Sequence, residues 1–258
     1  MGVSTLVVAA ALAVSVSPQQ FLLSHQMAGG GFAESGSKPD VALTSWAVLG
    51  LRAARATVDD AYVHAHEAEL RTPTEIALGV LAEAHPSDAL LARLNAAKTP
   101  TMNTTAWKLL ALAQAGRPLP RDRVRFLLAH QAKSGGWSWA VGVAPDSNDT
   151  AAVVQALRAA NVGGRPVTRA LAYLRRLQNR DGGFGLAPGR GSDAQSTAWA
   201  IQAFLAAGKR PGRPAYAYLA RLRRPDGSYR YSAKYTTTPV WVTAQVLPAL
   251  VGRPFPLR

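Results

Sequence analysis

Two carboxylates open one of the apolar helices that the sequence predicts. Asp146 and Asp149 stand three residues apart, so a helix places both on one face. Two such groups can titrate as a coupled pair, in which one carboxyl keeps its proton and serves as an acid. The alternative is structural: Asp146 caps the helix, as Asp40 and Asp193 would in two similar segments, and Asp149 interacts favourably with the helix dipole. The pair is therefore a candidate catalytic site and a candidate helix cap.

Four tryptophans in apolar helices are candidates for binding a hydrophobic ligand. They are Trp46, Trp107, Trp199 and Trp241. Each of the first three follows a Thr by two residues, which gives it a fixed place in the first turns of a helix. An indole face binds cationic or flat hydrocarbon groups, but buried indoles are also common in ordinary cores. Both interpretations stay open at this point.

A longer phrase recurs four times and indicates a repeat architecture. It consists of an aromatic residue, a Gln five residues later, a Gly pair, and a second aromatic residue six positions after the Gln. The copies run from Phe21 to Phe32, Phe126 to Trp137, Tyr173 to Phe184 and, in degenerate form, Tyr218 to Tyr229. Spacing that is kept over several copies is typical of stacked supersecondary units.

The elements that must position these residues are helices in pairs. Short polar residues precede each apolar run and predict N-caps. Successive runs are marked by Thr44, Thr74, Thr105, Thr150 and Thr197. Counting in this way gives twelve helices, or six hairpins, which is enough to close a ring. The runs that carry Asp, Thr and Trp are apolar nearly all round, as expected of an inner helix. The sequence therefore predicts an all-α protein, an α/α toroid (α6/α6 barrel) with the Gln-bearing helices outside.

These repeats resemble those of the prenyltransferase and squalene-cyclase (terpene cyclase) superfamily, whose fold is an α/α toroid around a central cavity. The resemblance covers about residues 18–258. The segment that begins at Asp146 is similar to the Asp-x-Asp-Asp-Thr-Ala motif of class II terpene cyclases, in which the middle carboxyl is the acid. Asn148 stands at that position and has no ionisable proton to give. The resemblance thus implies a ligand-binding place for Asn148 and leaves Asp146 and Asp149 as the candidate acids.

The zinc-dependent branch of the superfamily is disfavoured. The resemblance assigns a diphosphate-binding position to Arg190 and the first metal ligand to Asp193. The cysteine of that family pattern is Gln195 here, and Thr237 and Thr238 stand where a His would be needed. A single ligand cannot assemble a tetrahedral zinc site. His64 and His66 are capable of binding a metal, but residues two apart on a helix diverge. The sequence therefore predicts no metal and no cofactor.

Composition favours one domain, over residues 18–258. The chain has 258 residues, 48% of them hydrophobic, and no Cys, so one large core is expected without disulfides. Residues 1–17 form an apolar run that resembles a secretory signal or, alternatively, adds a helix to the ring. We expect export or association with the cell envelope of a bacterium, and a cytoplasmic location if the run is structural.

Positive charge is concentrated in the C-terminal part of the chain. Residues 157–258 hold 17 Lys and Arg against three acidic residues, whereas residues 1–156 hold 12 of each sign. Such a surface attracts anions, including lipid headgroups and acidic polymers. No nucleic-acid-binding motif accompanies it, so no nucleic-acid partner is predicted.

Three functions remain after these observations. The first is an exported, non-catalytic toroid that binds a hydrophobic, isoprenoid-like ligand or a partner. The second is a cyclase-like enzyme that uses the Asp146–Asp149 motif and requires a partner chain, since class II cyclases place their active site between two such domains. The third is a binder of anionic cell-envelope polysaccharide.

Overall fold

The computed structural model describes residues 16–257. Within that range the chain forms twelve α-helices and one short two-stranded sheet. The helices are α1 Pro18–Leu23, α2 Val41–Ala53, α3 Ala61–Ala65, α4 Pro73–Ala82, α5 Asp88–Ala96, α6 Met102–Gln114, α7 Arg121–Ala129, α8 Ser147–Ala159, α9 Arg165–Arg176, α10 Ala194–Ala206, α11 Arg213–Leu222 and α12 Pro239–Leu250. A 3₁₀ turn, Glu67–Glu69, follows α3, and strands β1 Phe184–Gly185 and β2 Ser192–Asp193 pair antiparallel before α10.

The even-numbered helices form a closed inner ring. Each packs against the next, and α12 returns to pack against α2. Closure is reinforced by Glu34, whose carboxylate oxygens accept hydrogen bonds from the backbone N–H groups of Val240 (3.1 Å) and Trp241 (2.9 Å) at the start of α12. The odd-numbered helices pack outside this ring. The predicted α/α toroid of six hairpins, with the Thr- and Trp-bearing helices inside, is confirmed.

The repeated motif joins an outer helix to the following inner helix. In the second copy, Gln131 Nε2 donates to the Gly135 carbonyl (2.8 Å), which closes the turn. The Trp137 N–H then donates to Thr150 Oγ1 (2.8 Å) on the inner helix. Equivalent bonds from the N–H groups of Phe32, Phe184 and Tyr229 reach Thr44, Thr197 and Thr243 at 2.9, 2.9 and 3.0 Å. The motif is therefore structural, and Thr243 is the register residue of the degenerate copy.

The Gly pair is required on two separate grounds. Gly135 has a φ of 98°, which L-residues with a side chain rarely adopt. At Gly136 a Cβ atom would lie 2.7 Å from the ring of Tyr173 on the next outer helix. The second Gly of the pair thus lets neighbouring hairpins approach closely.

The segment that was expected to be a signal or an extra helix lies almost entirely outside the described residues. Only Val16 and Ser17 of residues 1–17 are described, and Arg223 Nη2 donates to the Val16 carbonyl at 2.8 Å. The boundary at residue 17 and the predicted export stay predictions. Among residues 16–257, no helix combines the length and apolar character needed to cross a bilayer.

Candidate functional site

Three of the four candidate tryptophans meet at the centre of the ring. The ring centroids of Trp46 and Trp107 lie 5.4 Å apart, those of Trp107 and Trp199 also 5.4 Å, and those of Trp46 and Trp199 6.1 Å. All three pairs are edge-to-face, the arrangement that the quadrupoles of the rings favour. Phe255, from the segment after α12, lies 5.9–6.2 Å from each of them. Part of the toroid's interior is therefore filled by its own aromatic side chains.

A cavity of about 390 Å³ lies next to this aromatic cluster, where the inner helices begin. Its lining residues occur in two tiers: five inner helices each contribute two lining residues four positions apart, which share a face of the helix, and α2 contributes Trp46 alone. The lower tier contains the residues that lie further along their helices, which are Trp46, Leu78, Trp107, Ala152, Trp199 and Gln245. The upper tier consists of Thr74, Asn103, Asn148, Gln195 and Trp241. The cavity thus has a largely apolar lower tier and a largely polar upper one.

The candidate carboxylates lie at the side of this cavity. Asp146 caps α8, since its Oδ1 accepts a hydrogen bond from the Asp149 N–H (2.8 Å). Asp149 is buried, and its Oδ1 accepts a bond from Asn103 Nδ2 (2.7 Å), while Asn103 in turn accepts one from Thr74 Oγ1 (3.3 Å). Burial, together with the charge of the neighbouring Asp149, raises the pKa of Asp146 to about 8. At neutral pH the pair therefore retains a proton, and the cap and the acid interpretations are compatible.

Asn148 lies in the upper tier, beside the pair. Its Oδ1 accepts a hydrogen bond from Ser147 Oγ at 3.1 Å. An amide at this place can orient a polar group of a ligand, but it cannot transfer a proton. The structure places Asn148 at the cavity, and its ligand-binding role stays a prediction.

Trp241 also lines the cavity, but in the upper rather than the lower tier. Its place in the lower tier is taken by Gln245, whose Oε1 accepts hydrogen bonds from Trp199 Nε1 (2.9 Å) and Gln195 Nε2 (3.1 Å). These bonds fix the orientation of the Trp199 indole. All four predicted tryptophans thus line the cavity, and Gln245 is the residue that α12 contributes to the lower tier.

Arg190 is not brought to this cavity. It is exposed and lines a neighbouring groove of about 480 Å³ with Tyr218 and Tyr231. Asp193 serves as the N-cap of α10, with Oδ1 accepting from the Ser196 N–H (2.6 Å). The structure does not place Arg190 where it would meet a group held above the tryptophans, because the β1–β2 hairpin carries it to the outside.

Sequence reasoning missed Asn103, Gln195, Gln245 and Phe255. Asn103 and Gln195 stand two residues before Thr105 and Thr197, as Asn148 does before Thr150. This shared spacing could have predicted that they line the cavity with Asn148. Thr74, counted above with these register threonines, is instead an upper-tier residue. Thr72 caps α4, and Ile76 therefore takes the register position. Phe255 had no signal, because its contact depends on how the chain folds back after α12.

Comparisons with known proteins agree with this fold. The family model "Prenyltransferase alpha-alpha toroid domain" matches residues 4–89. A drimenyl diphosphate synthase of Streptomyces showdoensis is 39% identical over 123 residues, which is 42% of this chain and 22% of that protein. The chain thus matches under a quarter of the length of this relative.

Two solved structures share the fold. Type II terpene cyclase MstE from Scytonema superposes with a TM-score of 0.66 at 16% identity, over 91% of this chain and 95% of that one. The ent-copalyl diphosphate synthase of Streptomyces platensis gives 0.57 at 21% identity, over 82% of this chain and 50% of that one. The resemblance drawn from the repeats is confirmed.

Proposed function

We propose, taking this chain as a terpene-cyclase-like α/α toroid of the prenyltransferase type, that its cavity binds the hydrocarbon part of an isoprenoid. The observation that carries this proposal is the lower tier, in which indoles from three inner helices meet below one cavity of about 390 Å³. That volume lies within the range of about 300–1,000 Å³ typical of small-molecule sites. The names of the relative and of the two solved structures all concern terpenes, which supports this class of ligand.

The side chains present explain how such a ligand would be held. The indoles offer apolar and π surface to a chain of methyl-branched alkenes. The upper tier offers amides and hydroxyls from Thr74, Asn103, Asn148 and Gln195, which suit a polar end group. Phe255 packs against the tryptophans, so the hydrocarbon would enter from the end at which the inner helices begin. Export of this toroid remains part of the proposal.

Native mass spectrometry with farnesyl diphosphate and squalene as probes tests the proposal. We expect a one-to-one complex with at least one probe, and Trp241→Leu should weaken it about tenfold by removing indole contact area. Tyr235→Leu is the matched control, because this exposed aromatic residue lies outside the cavity. Absence of a complex with both probes, or an equal loss in both variants, would contradict the proposal.

Proton-initiated cyclisation is the second candidate, and the raised pKa of Asp146 favours it. In that reaction the Asp146 carboxyl gives its proton to an alkene carbon, and the carbocation that forms is stabilised by the faces of the neighbouring indoles. A base later removes a proton from the cyclised cation, which gives a neutral product. Asp149, held by Asn103, would accept a hydrogen bond from the acid and so keep it oriented.

This candidate requires a second domain or chain to exclude water, and the structure offers a place for one. Trp139, Val141, Val143 and Leu186 are exposed apolar side chains. Leu186 lines the cavity, and the Trp139 carbonyl accepts a hydrogen bond from the N–H of the lining residue Asn103 (3.3 Å). An exposed apolar group beside a cavity is a typical contact surface.

Product analysis separates the two candidates. Incubation with squalene, oxidosqualene and prenyl diphosphates, with and without cell extract, should yield a cyclised product that Asp146→Asn abolishes if the second candidate holds. Binding without product, in every combination, leaves the isoprenoid-binding toroid. Asn148→Asp completes the family motif and should then increase product formation only in the catalytic case.

A further inference from the structure

Three side chains of the second hairpin converge outside the cavity described above. His64 comes from α3, Glu67 from the 3₁₀ turn, and Glu83 follows the last residue of α4. His64 Nδ1 lies 3.1 Å from Glu83 Oε2 and 3.3 Å from Glu67 Oε1. One ligand atom from each of the three residues lies within 4.8 Å of the other two.

Each of the two carboxylates has one buried oxygen that lacks a hydrogen-bond donor in the described part of the chain. The side chain of Glu83 is only 1% exposed, and its Oε1 accepts no hydrogen bond from any group in residues 16–257. The same holds for Glu67 Oε1. Buried carboxylate oxygens without donors are costly unless a positive charge joins them.

We propose that His64, Glu67 and Glu83 form a binding site for a divalent transition-metal ion, with Zn²⁺ as the representative case. One imidazole nitrogen and two carboxylate oxygens are a donor set that suits such ions. Two ligands at about 2.1 Å from a tetrahedral ion are separated by about 3.4 Å, close to the two observed separations. His64 is 59% exposed, so the ion can enter and a water molecule can complete its coordination.

The surroundings are those expected of a metal site. Ser87 Oγ donates to Glu67 Oε2 (2.6 Å), and Arg93 Nη1 donates to the Glu67 carbonyl (2.6 Å), so the turn that carries Glu67 is held in place. Hydrogen bonds to ligating carboxylates orient them and contribute to affinity. His66 takes no part, because its ring stacks on Tyr62 at 3.9 Å.

The position of the cluster indicates a structural rather than a catalytic role. Glu83 lies at the C-terminal end of α4, whereas the cavity lies where the inner helices begin. The outer helix of this hairpin, α3, has only five residues. An ion shared by α3, the 3₁₀ turn and α4 would stabilise this hairpin by joining a short outer helix to the inner ring.

Calorimetric titration of tag-free, chelator-treated protein with ZnCl₂ at pH 7.5 tests the site, followed by thermal unfolding with and without Zn²⁺. We expect one equivalent to bind and the unfolding temperature to rise with Zn²⁺ concentration. Glu83→Gln, which keeps the shape of the side chain, should weaken binding more than about 100-fold, beyond the loss typical of an outer-shell change. His64→Asn should do the same at an exposed position where folding is not at risk.

Two controls make the outcome specific. Glu69→Gln changes an exposed carboxylate of the same turn, and His85→Asn an exposed histidine near Glu83; both should bind Zn²⁺ as the unaltered protein does. Failure of the unaltered protein to take up one equivalent would overturn the proposal. Affinity that is unchanged in Glu83→Gln and His64→Asn would overturn it as well.

Discussion

At the scale of single residues, Asp146 combines two tasks in one carboxyl group. As a cap it accepts a hydrogen bond from the Asp149 N–H, and as a half-buried group beside another carboxyl it has a raised pKa. Asp40 and Asp193 cap α2 and α10 through the same kind of bond. What distinguishes Asp146 is therefore its neighbour, Asp149, which lies at the cavity.

The pH dependence of stability should reveal this difference. Because the pKa of Asp146 is raised in the folded state, its contribution to stability is fully present below about pH 4 and is lost as pH rises towards 8. Asp146→Asn cannot ionise and still caps the helix. Relative to the unaltered protein, we expect this variant to gain about 1–3 kcal/mol between pH 4 and 8. Urea unfolding at several pH values measures the difference.

Asp40→Asn provides the control, because Asp40 caps α2 by an equivalent bond to the Leu43 N–H (2.7 Å) but is exposed. We expect its stability relative to the unaltered protein to stay nearly constant over the same range. A gain with pH that is equal in both variants would assign the effect to capping in general and not to the buried pair.

At the scale of elements, the Gly pairs determine how closely neighbouring hairpins pack. We expect Gly136→Ala to lower the free energy of unfolding by about 1–3 kcal/mol, because the added methyl group overlaps the Tyr173 ring and Pro145. Gly191→Ala should have a much smaller effect, since a Cβ atom there meets nothing within 4 Å. Thermal unfolding of both variants tests this, and an equal loss would show that the close approach is not what Gly136 is needed for.

The helices themselves were predictable from sequence. Which of their residues face the interior was predictable wherever a capping residue and a Thr at the register position occur together. In α4 the two signals conflict, since Thr72 and Thr74 both precede the apolar run. The structure shows that Thr72 accepts the capping bond from the Glu75 N–H (3.2 Å) and that Thr74 belongs to the upper tier. Pro73 at the first helical position and Glu75 in a capping box were the local signals that favour Thr72 over Thr74.

At the scale of the whole molecule, the excess of positive charge lies in residues 157–258. If it serves an anionic envelope polymer, the protein should be retained on a heparin column, and retention should weaken steeply with salt. Replacing Arg180, Arg213 and Arg230 by Gln should shift elution to lower salt, because all three are exposed in the basic part of the chain. Lys38, Arg117 and Arg121, exposed in the balanced part, form the control set.

Equal shifts in the two triple variants would show that net charge alone governs retention. Retention that does not respond to salt would count against an electrostatic surface altogether. A shift confined to the first set would instead identify the basic part as a binding surface separate from the tryptophan cavity.

The sequence by itself determined the repeat, the twelve helices, the Asp caps of α2, α8 and α10 and the identity of the inner ring, because each depends on residues close together in the chain. Tertiary structure decided which inner-helix residues face one another. It placed Phe255 against the tryptophans, carried Arg190 away from the cavity, and brought Glu83 to His64 across 19 residues. Helical periodicity determines on which face of its helix a residue lies. Which of these faces meet is determined by how six helices close into a ring, and this closure depends on packing over the whole chain.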